Sequence, residues 1–308
     1  MRLFILFHIN LCFSSIEEEE RKSLLKLSYW PLLNLIENLK LPIGIEATAY
    51  TLEEINKIDP KFINKLKILI KKKYCEFIGS GYSQSIGPLI PAKVNKYNLR
   101  IGNDLYLKLL NIKPNLALIN EQVFSKGILD NYLNNGYKNI IMDWDNCFKS
   151  NSDIQDKYFF FPQKILTSSK KKINVIWSSS IFFQKFQRYV HGEIEFDDYL
   201  KFIKSKKQKF KNYNVCIYAS DLETINFRPK RYKTESEVTQ DEWLRLEILL
   251  KKLVSNKFKF IKPSDVLKTK NNKYSHKTIK FINPAFPTIT KKQSKYNILR
   301  WAVTGVND

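Results

Sequence analysis

Polar side chains able to do acid–base chemistry follow most of the short apolar runs in this chain. They are His8 and Asn10, Glu46, Glu76, Glu121, Asp143 with Asp145, and Asp221 with Glu223. When strands run parallel in a barrel, groups just beyond their carboxyl ends converge on one rim. Two carboxylates on such a rim can attack or stabilise an anomeric carbon and protonate the departing oxygen, as glycoside hydrolysis requires.

Each of these acidic residues also has an ordinary alternative role, because a carboxylate after a strand often caps a helix or lies in a loop. The repetition of the pattern over several strands favours a shared site instead. Carboxylates held close together raise the pKa of one partner, so that it keeps the proton that a general acid needs. We therefore expect these groups to form one site at the end of a sheet.

The elements that must position these residues alternate between short apolar runs and amphipathic stretches. The apolar runs predict strands at 3–7, 43–47, 74–78, 116–119, 140–142, 174–177, 215–218 and 258–261. Helices are predicted between most of them, an alternation typical of a parallel sheet. No glycine-rich phosphate-binding motif follows any strand, which disfavours a nucleotide-binding sheet. The predicted fold class is α/β, an incomplete parallel (β/α)7-type barrel with a short C-terminal appendage.

The barrel is predicted to span residues 1–265. Residues 266–308 are more polar and interrupted by proline, which predicts an appendage or the start of a truncated helical region. The opening segment has a basic residue and an apolar run, as a short signal peptide has. His8 and Asn10 interrupt that run and no A-x-A cleavage site follows, so we predict a buried first strand. No stretch reaches the ~18 apolar residues of a membrane span.

The charge of the chain is strongly positive, with 52 Lys and Arg against 30 Asp and Glu in 308 residues, a net +22. Such an excess can indicate binding to nucleic acid or to an acidic polysaccharide. Because the lysines are scattered and Asn and Ile are abundant too, we attribute the charge to compositional bias and predict no specific nucleic-acid partner. The four cysteines form no CxxC pair. We predict no metal or other cofactor, and a reduced, cytoplasmic setting.

Four short segments resemble the motifs of the family-57 glycoside hydrolases. FHIN at 7–10 is similar to the opening motif, CEFIGSGYSQSIGPLIP at 75–91 to the second, LINEQVFS at 118–125 to the third, and YASDLETINFRP at 218–229 to the fourth. The order and spacing of the set are more specific than any one segment. The resemblance covers nearly the whole chain and implies an incomplete barrel of seven strands followed by helical elements.

The resemblance implies a retaining mechanism on an α-linked oligosaccharide or polysaccharide, with hydrolysis and transglycosylation both open. It assigns the nucleophile to Glu121 and the general acid/base to Asp221. Together with the rim argument, it gives these substrate-binding candidates: His8, Asn10, Glu46, Glu76, Gln84, Asp143, Trp144, Asp145, Glu223 and Arg228. Trp144, like Trp30, is also a candidate platform for a pyranose ring.

Two departures from the family pattern keep other functions open. The second histidine of the opening motif is Asn10, and the aromatic residue often found three positions before the nucleophile is Leu118. These changes motivate a second hypothesis, a polysaccharide-binding protein without turnover. A third hypothesis is a metal-dependent polysaccharide deacetylase, although the chain lacks the His-x-x-x-His spacing that such a site uses.

Overall fold

The computed structural model describes residues 1–281 except 15, 146, 148–153, 207, 211, 229–236 and 271. Its strands form mostly at the apolar runs, because a strand buried on both faces must be apolar throughout. They are β1 (Arg2–Ile9), β2 (Ile43–Ala47), β3 (Cys75–Ile78), β4 (Leu116–Leu118), β5 (Asn139–Asp143), β6 (Gln163–Leu166), β7 (Lys172–Ser178), β8 (Asn214–Asp221), β9 (Lys259–Phe260) and β10 (Thr278–Ile279).

Helices follow most of the strands and cover the outside of the sheets. They are α1 (Glu18–Leu24), α2 (Trp30–Leu39), α3 (Ala49–Ile58), α4 (Pro60–Lys71), α5 (Ala92–Leu110), α6 (Lys126–Asn134), α7 (Ser180–Val190), α8 (Phe196–Ser205) and α9 (Glu242–Ser255). A π-helical turn at Leu25–Tyr29 joins α1 and α2 into one continuous helix. No helix in the described ranges has the length and apolar character needed to cross a membrane.

The strands form two sheets, in the orders β3-β2-β1-β8 and β10-β6-β7-β5-β4, with β9 pairing with β1. A parallel bridge between Gly79 and Ala117 connects β3 to β4. Strands β1, β2, β3, β4, β5, β7 and β8 are thus parallel neighbours, and β6 is antiparallel to β7. β7 packs against β8, but within the described residues no ladder joins them. The predicted α/β fold with an incomplete parallel barrel is confirmed.

The two faces of the sheets bury different side chains. On β1, Leu3, Ile5 and Phe7 pack with the helices, while Phe4 and Leu6 belong to a smaller cluster made without the helices. This interior cluster consists of Phe4, Leu6, Ile78, Leu116, Leu118, Ile141, Ile176, Cys216, Ile261 and Val266. Because side chains alternate between faces along a strand, His8 continues the interior row beyond Leu6. The barrel interior is apolar in its middle and polar at its carboxyl rim.

The segment after β9 covers the amino end of the barrel. Val266 belongs to the interior cluster, and the backbone N–H of Ser264 donates to the Glu76 carboxylate at 2.8 Å. Further along, β10 pairs with β6, and Phe281 packs against Trp177 with ring centroids 5.9 Å apart. The predicted domain boundary at 265 stays a prediction, and the appendage beyond residue 281 lies outside the described residues.

Candidate active site at the carboxyl rim

The carboxyl ends of the parallel strands carry a set of ionisable side chains. His8 lies near the end of β1, Glu46 near the end of β2, Asp143 at the end of β5 and Asp221 at the end of β8. Glu121 lies on the turn that follows β4. Since these strands are parallel, the five side chains share one end of the barrel.

His8 and Glu46 form a buried pair at the centre of this rim. They are opposite each other in the β1–β2 register, and His8 Nδ1 contacts Glu46 Oε2. Burial alone would lower the pKa of His8, but the negative charges of Glu46, Asp221 and Glu223 raise it to about 10. His8 is therefore an imidazolium at neutral pH, and it holds the acidic residues around it together.

A bulge in β8 brings Asp221 to the same face as His8. Phe4 pairs with Cys216 and Ile5 with Tyr218, so Ile217 is an extra residue in β8. Both Ile217 and Tyr218 pack on the outer face. Because one inserted residue reverses which side chains face inward, the bulge puts Asp221 opposite His8 on the interior face.

Glu223 lies fully buried just beyond Asp221. Its Oε1 accepts hydrogen bonds from the backbone N–H of Asn10 and from the Tyr29 hydroxyl, the latter at 2.5 Å. Burial raises the pKa of Glu223 to about 7, with the charge of Asp221 adding to the rise and His8 and Tyr29 opposing it. A proton can thus reside beside Asp221 near neutral pH.

The π-helical turn contributes two contacts that the sequence patterns did not reveal. Tyr29 reaches Glu223, and the Ser28 hydroxyl donates to the Leu222 carbonyl at 2.9 Å. Both residues are buried, so this turn fixes the backbone directly after Asp221. A π-helical turn inside an α-helix often marks a functional site. The extra residue of such a turn could not be predicted from the 3.6-residue spacing of apolar side chains.

Glu121 is held differently, on a turn with left-handed backbone. Its φ is 55° and that of Gln122 is 57°, a conformation that costs free energy for residues other than glycine. The Gln84 amide donates to Glu121 Oε1, and the buried Asn120 donates to the Ser80 and Ser83 carbonyls at 3.3 Å. The turn is thus fastened to the loop after β3, and it presents a partly exposed carboxylate at the rim.

The predicted residues Asp143, Trp144 and Asp145 lie at the end of β5 and directly after it. The two aspartates make polar contacts, whereas Trp144 packs among apolar side chains. The Asp143 backbone N–H donates to the Gln122 side chain at 2.7 Å, and its Oδ2 accepts from Ser180 at 2.7 Å. Asp145 accepts from the Ser179 hydroxyl, also at 2.7 Å. Trp144 is 7% exposed, and its ring centroid is 5.1 Å from that of Trp177. The expectation of a sugar platform at Trp144 is therefore corrected, because its ring is part of the core.

Three other predicted residues, Glu76, Asn10 and Trp30, make contacts that support the fold. Glu76 lies nearer the amino end of the barrel and accepts from Ser264, which separates it from the rim. Asn10 accepts from the Phe13 backbone N–H at 3.1 Å, so its side-chain oxygen closes a local turn. Trp30 donates to Asp59 at 2.8 Å and packs edge-on against Phe62, which is helix packing.

Arg228 forms a buried ion pair that supports the Asp221 segment from behind. Its guanidinium donates to Glu242 at 2.6 Å and to the Thr224 carbonyl at 2.5 Å. Thr224 in turn donates its hydroxyl to the Asp221 carbonyl at 2.9 Å. Arg228 therefore acts on the turn after β8, and these contacts replace the predicted substrate contact. Within the described ranges no group of three or more His, Cys, Asp or Glu side chains is arranged to hold a metal ion.

The fold and the rim define an α/β-barrel protein with a carboxylate-lined site. A family model described as Glycosyl hydrolase family 57 matches residues 8–281, and the chain belongs to this family. The resemblance inferred from the four motifs is thereby confirmed. Alpha-amylase 1 of Dictyoglomus thermophilum is 21% identical over 232 residues, which cover 75% of this chain and 32% of that protein.

Solved structures show the same fold. The 4-alpha-glucanotransferase from Thermococcus litoralis superposes with a TM-score of 0.75 at 17% identity, over 91% of this chain and 42% of that chain. A family-57 branching enzyme from Pyrococcus horikoshii gives 0.69 at 13% identity, over 91% and 72% of the two chains. This chain thus spans a third of the length of the matching amylase and less than half of the glucanotransferase.

Proposed function

We propose that this chain is a retaining glycosidase or transglycosylase acting on an α-linked glucan, with Glu121 as nucleophile and Asp221 as general acid/base. The observation that carries the proposal is the different setting of the two carboxylates at one rim. Asp221 is opposite the His8 imidazolium and beside Glu223, whereas Glu121 accepts from a neutral amide. Family membership and the names of the relatives, an amylase, a glucanotransferase and a branching enzyme, support the substrate class.

The chemistry would proceed in two displacements. The Glu121 carboxylate attacks the anomeric carbon while protonated Asp221 gives its proton to the departing glycosidic oxygen. A covalent ester between Glu121 and the sugar results. The Asp221 carboxylate then takes a proton from water or from a hydroxyl of an acceptor sugar. That oxygen attacks the anomeric carbon and releases Glu121, so the product keeps the α configuration.

His8 and Glu46 would hold the site rather than take part in the covalent steps. The imidazolium offsets the carboxylates around it, and its charge opposes proton uptake by Glu223. Substrate contacts by Gln84, Asp143 and Asp145 belong to this proposal, since Gln84 and Asp143 contact the Glu121–Gln122 turn and Asp145 follows Asp143 in the chain. The cytoplasmic location also stays a prediction.

The test is covalent trapping with a mechanism-based fluorinated α-glucosyl fluoride, followed by peptide mass spectrometry. We expect one added glycosyl group on the peptide that contains Glu121 in the wild type, and none in Glu121→Ala. Glu76→Ala is the matched control, because it also removes a glutamate side chain, but one at the amino end of the barrel. Labelling of Glu121→Ala equal to that of the wild type would overturn the assignment of the nucleophile.

A binding measurement distinguishes an active enzyme from the alternative, a sugar-binding protein without turnover. If the wild type binds maltoheptaose but neither releases product nor accepts the label, the protein is a binding module, as Asn10 and Leu118 suggest. Product analysis by NMR gives an independent check, because a first-formed β-anomer from an α-glucan would exclude a retaining mechanism.

A further inference from the structure

Three aromatic rings, carried by the segments that follow β1, β2 and β3, form a row; the middle one belongs to the first turn of α3. Phe13 and Tyr50 have ring centroids 6.0 Å apart, and Tyr50 and Tyr82 have centroids 5.7 Å apart. All three side chains are partly exposed, unlike the aromatic residues of the core. We call Phe13, Tyr50 and Tyr82 the aromatic row. Tyr82 lies within the second motif segment, 75–91, but none of the three was among the predicted site residues.

The backbone under the aromatic row is closely fixed. The Tyr50 N–H donates to the Tyr82 carbonyl at 2.9 Å, and the Tyr82 N–H donates to the Asn98 carbonyl at 2.9 Å. Gly81 has a φ of +117°, and a Cβ on Gly102 of α5 would lie 2.5 Å from its carbonyl carbon. The loop is therefore pressed against α5, and the rings of Tyr50 and Tyr82 are positioned before any ligand arrives, which lowers the entropic cost of binding.

The aromatic row ends beside the catalytic candidates on both sides. At one end, the Phe13 N–H donates to the side chain of Asn10, whose own backbone N–H donates to Glu223 next to Asp221. At the other end, Tyr82 is two residues before Gln84, which donates to Glu121. The segments that carry the row are thus connected to both the acid/base side and the nucleophile side of the rim.

A partly exposed aromatic row in this position suits one kind of ligand. Aromatic side chains combine a large apolar face with, in tyrosine, a polar edge, and the C–H faces of pyranose rings are apolar in the same way. The Tyr82 hydroxyl is directed to Glu53 at 3.3 Å, so the ring is held through its edge. Their partial exposure distinguishes these rings from Trp144, which is buried in the core, although the Tyr82 ring also packs against the core.

We propose that the aromatic row is a sugar subsite that stacks glucose rings of an α-linked glucan next to the bond being cleaved. The inference rests on the proposed function, since it names where that substrate lies. Phe13, Tyr50 and Tyr82 would then determine the length of glucan that binds well, while Glu121 and Asp221 carry the chemistry.

The test measures binding by isothermal titration calorimetry in a Glu121→Gln background, which prevents turnover. Maltose, maltotriose and maltoheptaose are titrated into the parent protein and into Phe13→Ala, Tyr50→Ala and Tyr82→Ala. We expect maltoheptaose to bind about tenfold more weakly, or worse, when a central stacking ring is removed. Tyr50→Phe should bind as the parent does, because the ring face remains.

Tyr74→Ala is the matched control, since Tyr74 is a partly buried tyrosine directly before β3, at the opposite end of the barrel. Thermal unfolding identifies any alanine variant that does not fold, and the remaining positions then decide the outcome. Unchanged maltoheptaose affinity in the folded alanine variants, with Glu121 still labelled in the wild type, overturns the subsite and leaves the proposed function standing. Absence of binding of all three sugars to the parent overturns both.

Discussion

The two sides of the carboxyl rim hold their acidic residues by different means. On the β1–β2–β8 side, Glu46 and Glu223 are fully buried, and His8 supplies a positive charge among them. On the β4 side, Glu121 is partly exposed on a left-handed turn and accepts a hydrogen bond from the neutral amide of Gln84. The first side places the partly exposed Asp221 against a buried network of charges, and the second holds a partly exposed carboxylate by an amide.

This difference agrees with the two tasks of the proposed retaining mechanism. Charges confined in a buried network shift one another's proton affinity, and the pKa of Glu223 rises to about 7 beside Asp221. Glu223 can therefore hold a proton beside Asp221, the proposed general acid, near the pH range in which acid–base catalysis works best. A hydrogen bond to the charged form of a carboxylate favours ionisation, which suits Glu121 as a nucleophile. Pairs of carboxylates with opposed environments mark such a division of roles.

The largest effect should come from removing the carboxyl group of Asp221, the proposed proton donor. We expect Asp221→Asn to lower kcat on maltoheptaose by about 10²–10⁴-fold, the range for loss of a general acid. On an aryl α-glucoside whose leaving group needs no proton, the rate of the first step should fall much less in Asp221→Asn. Steady-state and pre-steady-state kinetics on the two substrates check this.

Asp265→Asn is the control for that substitution, because Asp265 pairs with Lys268 at 2.6 Å in the segment that covers the amino end. A loss in Asp221→Asn that is equal on both substrates would contradict an acid/base role. It would leave Asp221 as a residue that only shapes the site.

The next effect concerns stability and its dependence on pH. The pKa of His8 is raised to about 10 in the folded protein, against about 6.5 in an unfolded chain. The imidazolium therefore stabilises the fold fully below pH ~6.5, and this contribution is lost as the pH rises through ~10. His8→Gln removes the cation from a buried carboxylate cluster, so we expect a loss on the order of 3 kcal/mol at pH 7.

Urea unfolding of wild type and His8→Gln between pH 6 and pH 10.5 measures this. The difference in free energy of unfolding should be largest at the acid end of that range and should shrink towards pH 10. Lysines and tyrosines elsewhere titrate in both proteins and cancel in the difference. A difference independent of pH would mean that His8 acts by packing alone.

Much of the fold was predictable, because each strand buried on both faces has a short continuous apolar run, and the amphipathic stretches between the runs have a helical period. The predicted run at 43–47 coincides with β2, for example. Strands β6 and β10 were not predicted, since short strands such as Thr278–Ile279 have too few residues for a pattern. Helix α7 was missed as well, although Phe182, Phe186 and Tyr189 recur on its buried face.

The positions of site residues were less predictable than their identities. The rule that places polar residues beyond the strands located His8, Glu46 and Asp221 at one rim. It could not foresee that Ile217 is an extra residue in β8, which decides the face on which Asp221 lies. Contacts between distant segments, such as Tyr29 with Glu223, depend on tertiary packing and have no local signature.

The smallest effect should come from Glu76, and it tests the boundary between the rim and the rest of the barrel. Glu76 and Gly44 are paired in the register, two residues before the pair of Ile78 and Glu46, so Glu76 lies deeper than the rim. Burial raises the pKa of Glu76, which means that its ionised form opposes folding at neutral pH. Glutamine resembles the protonated acid and keeps an oxygen for the Ser264 N–H.

We expect Glu76→Gln to leave kcat/KM on maltoheptaose unchanged and to keep or slightly raise Tm. A tenfold loss of kcat/KM with an unchanged Tm would show that substrate reaches Glu76, and the polar rim would then extend two residues further into the barrel than the contacts of Ser264 indicate.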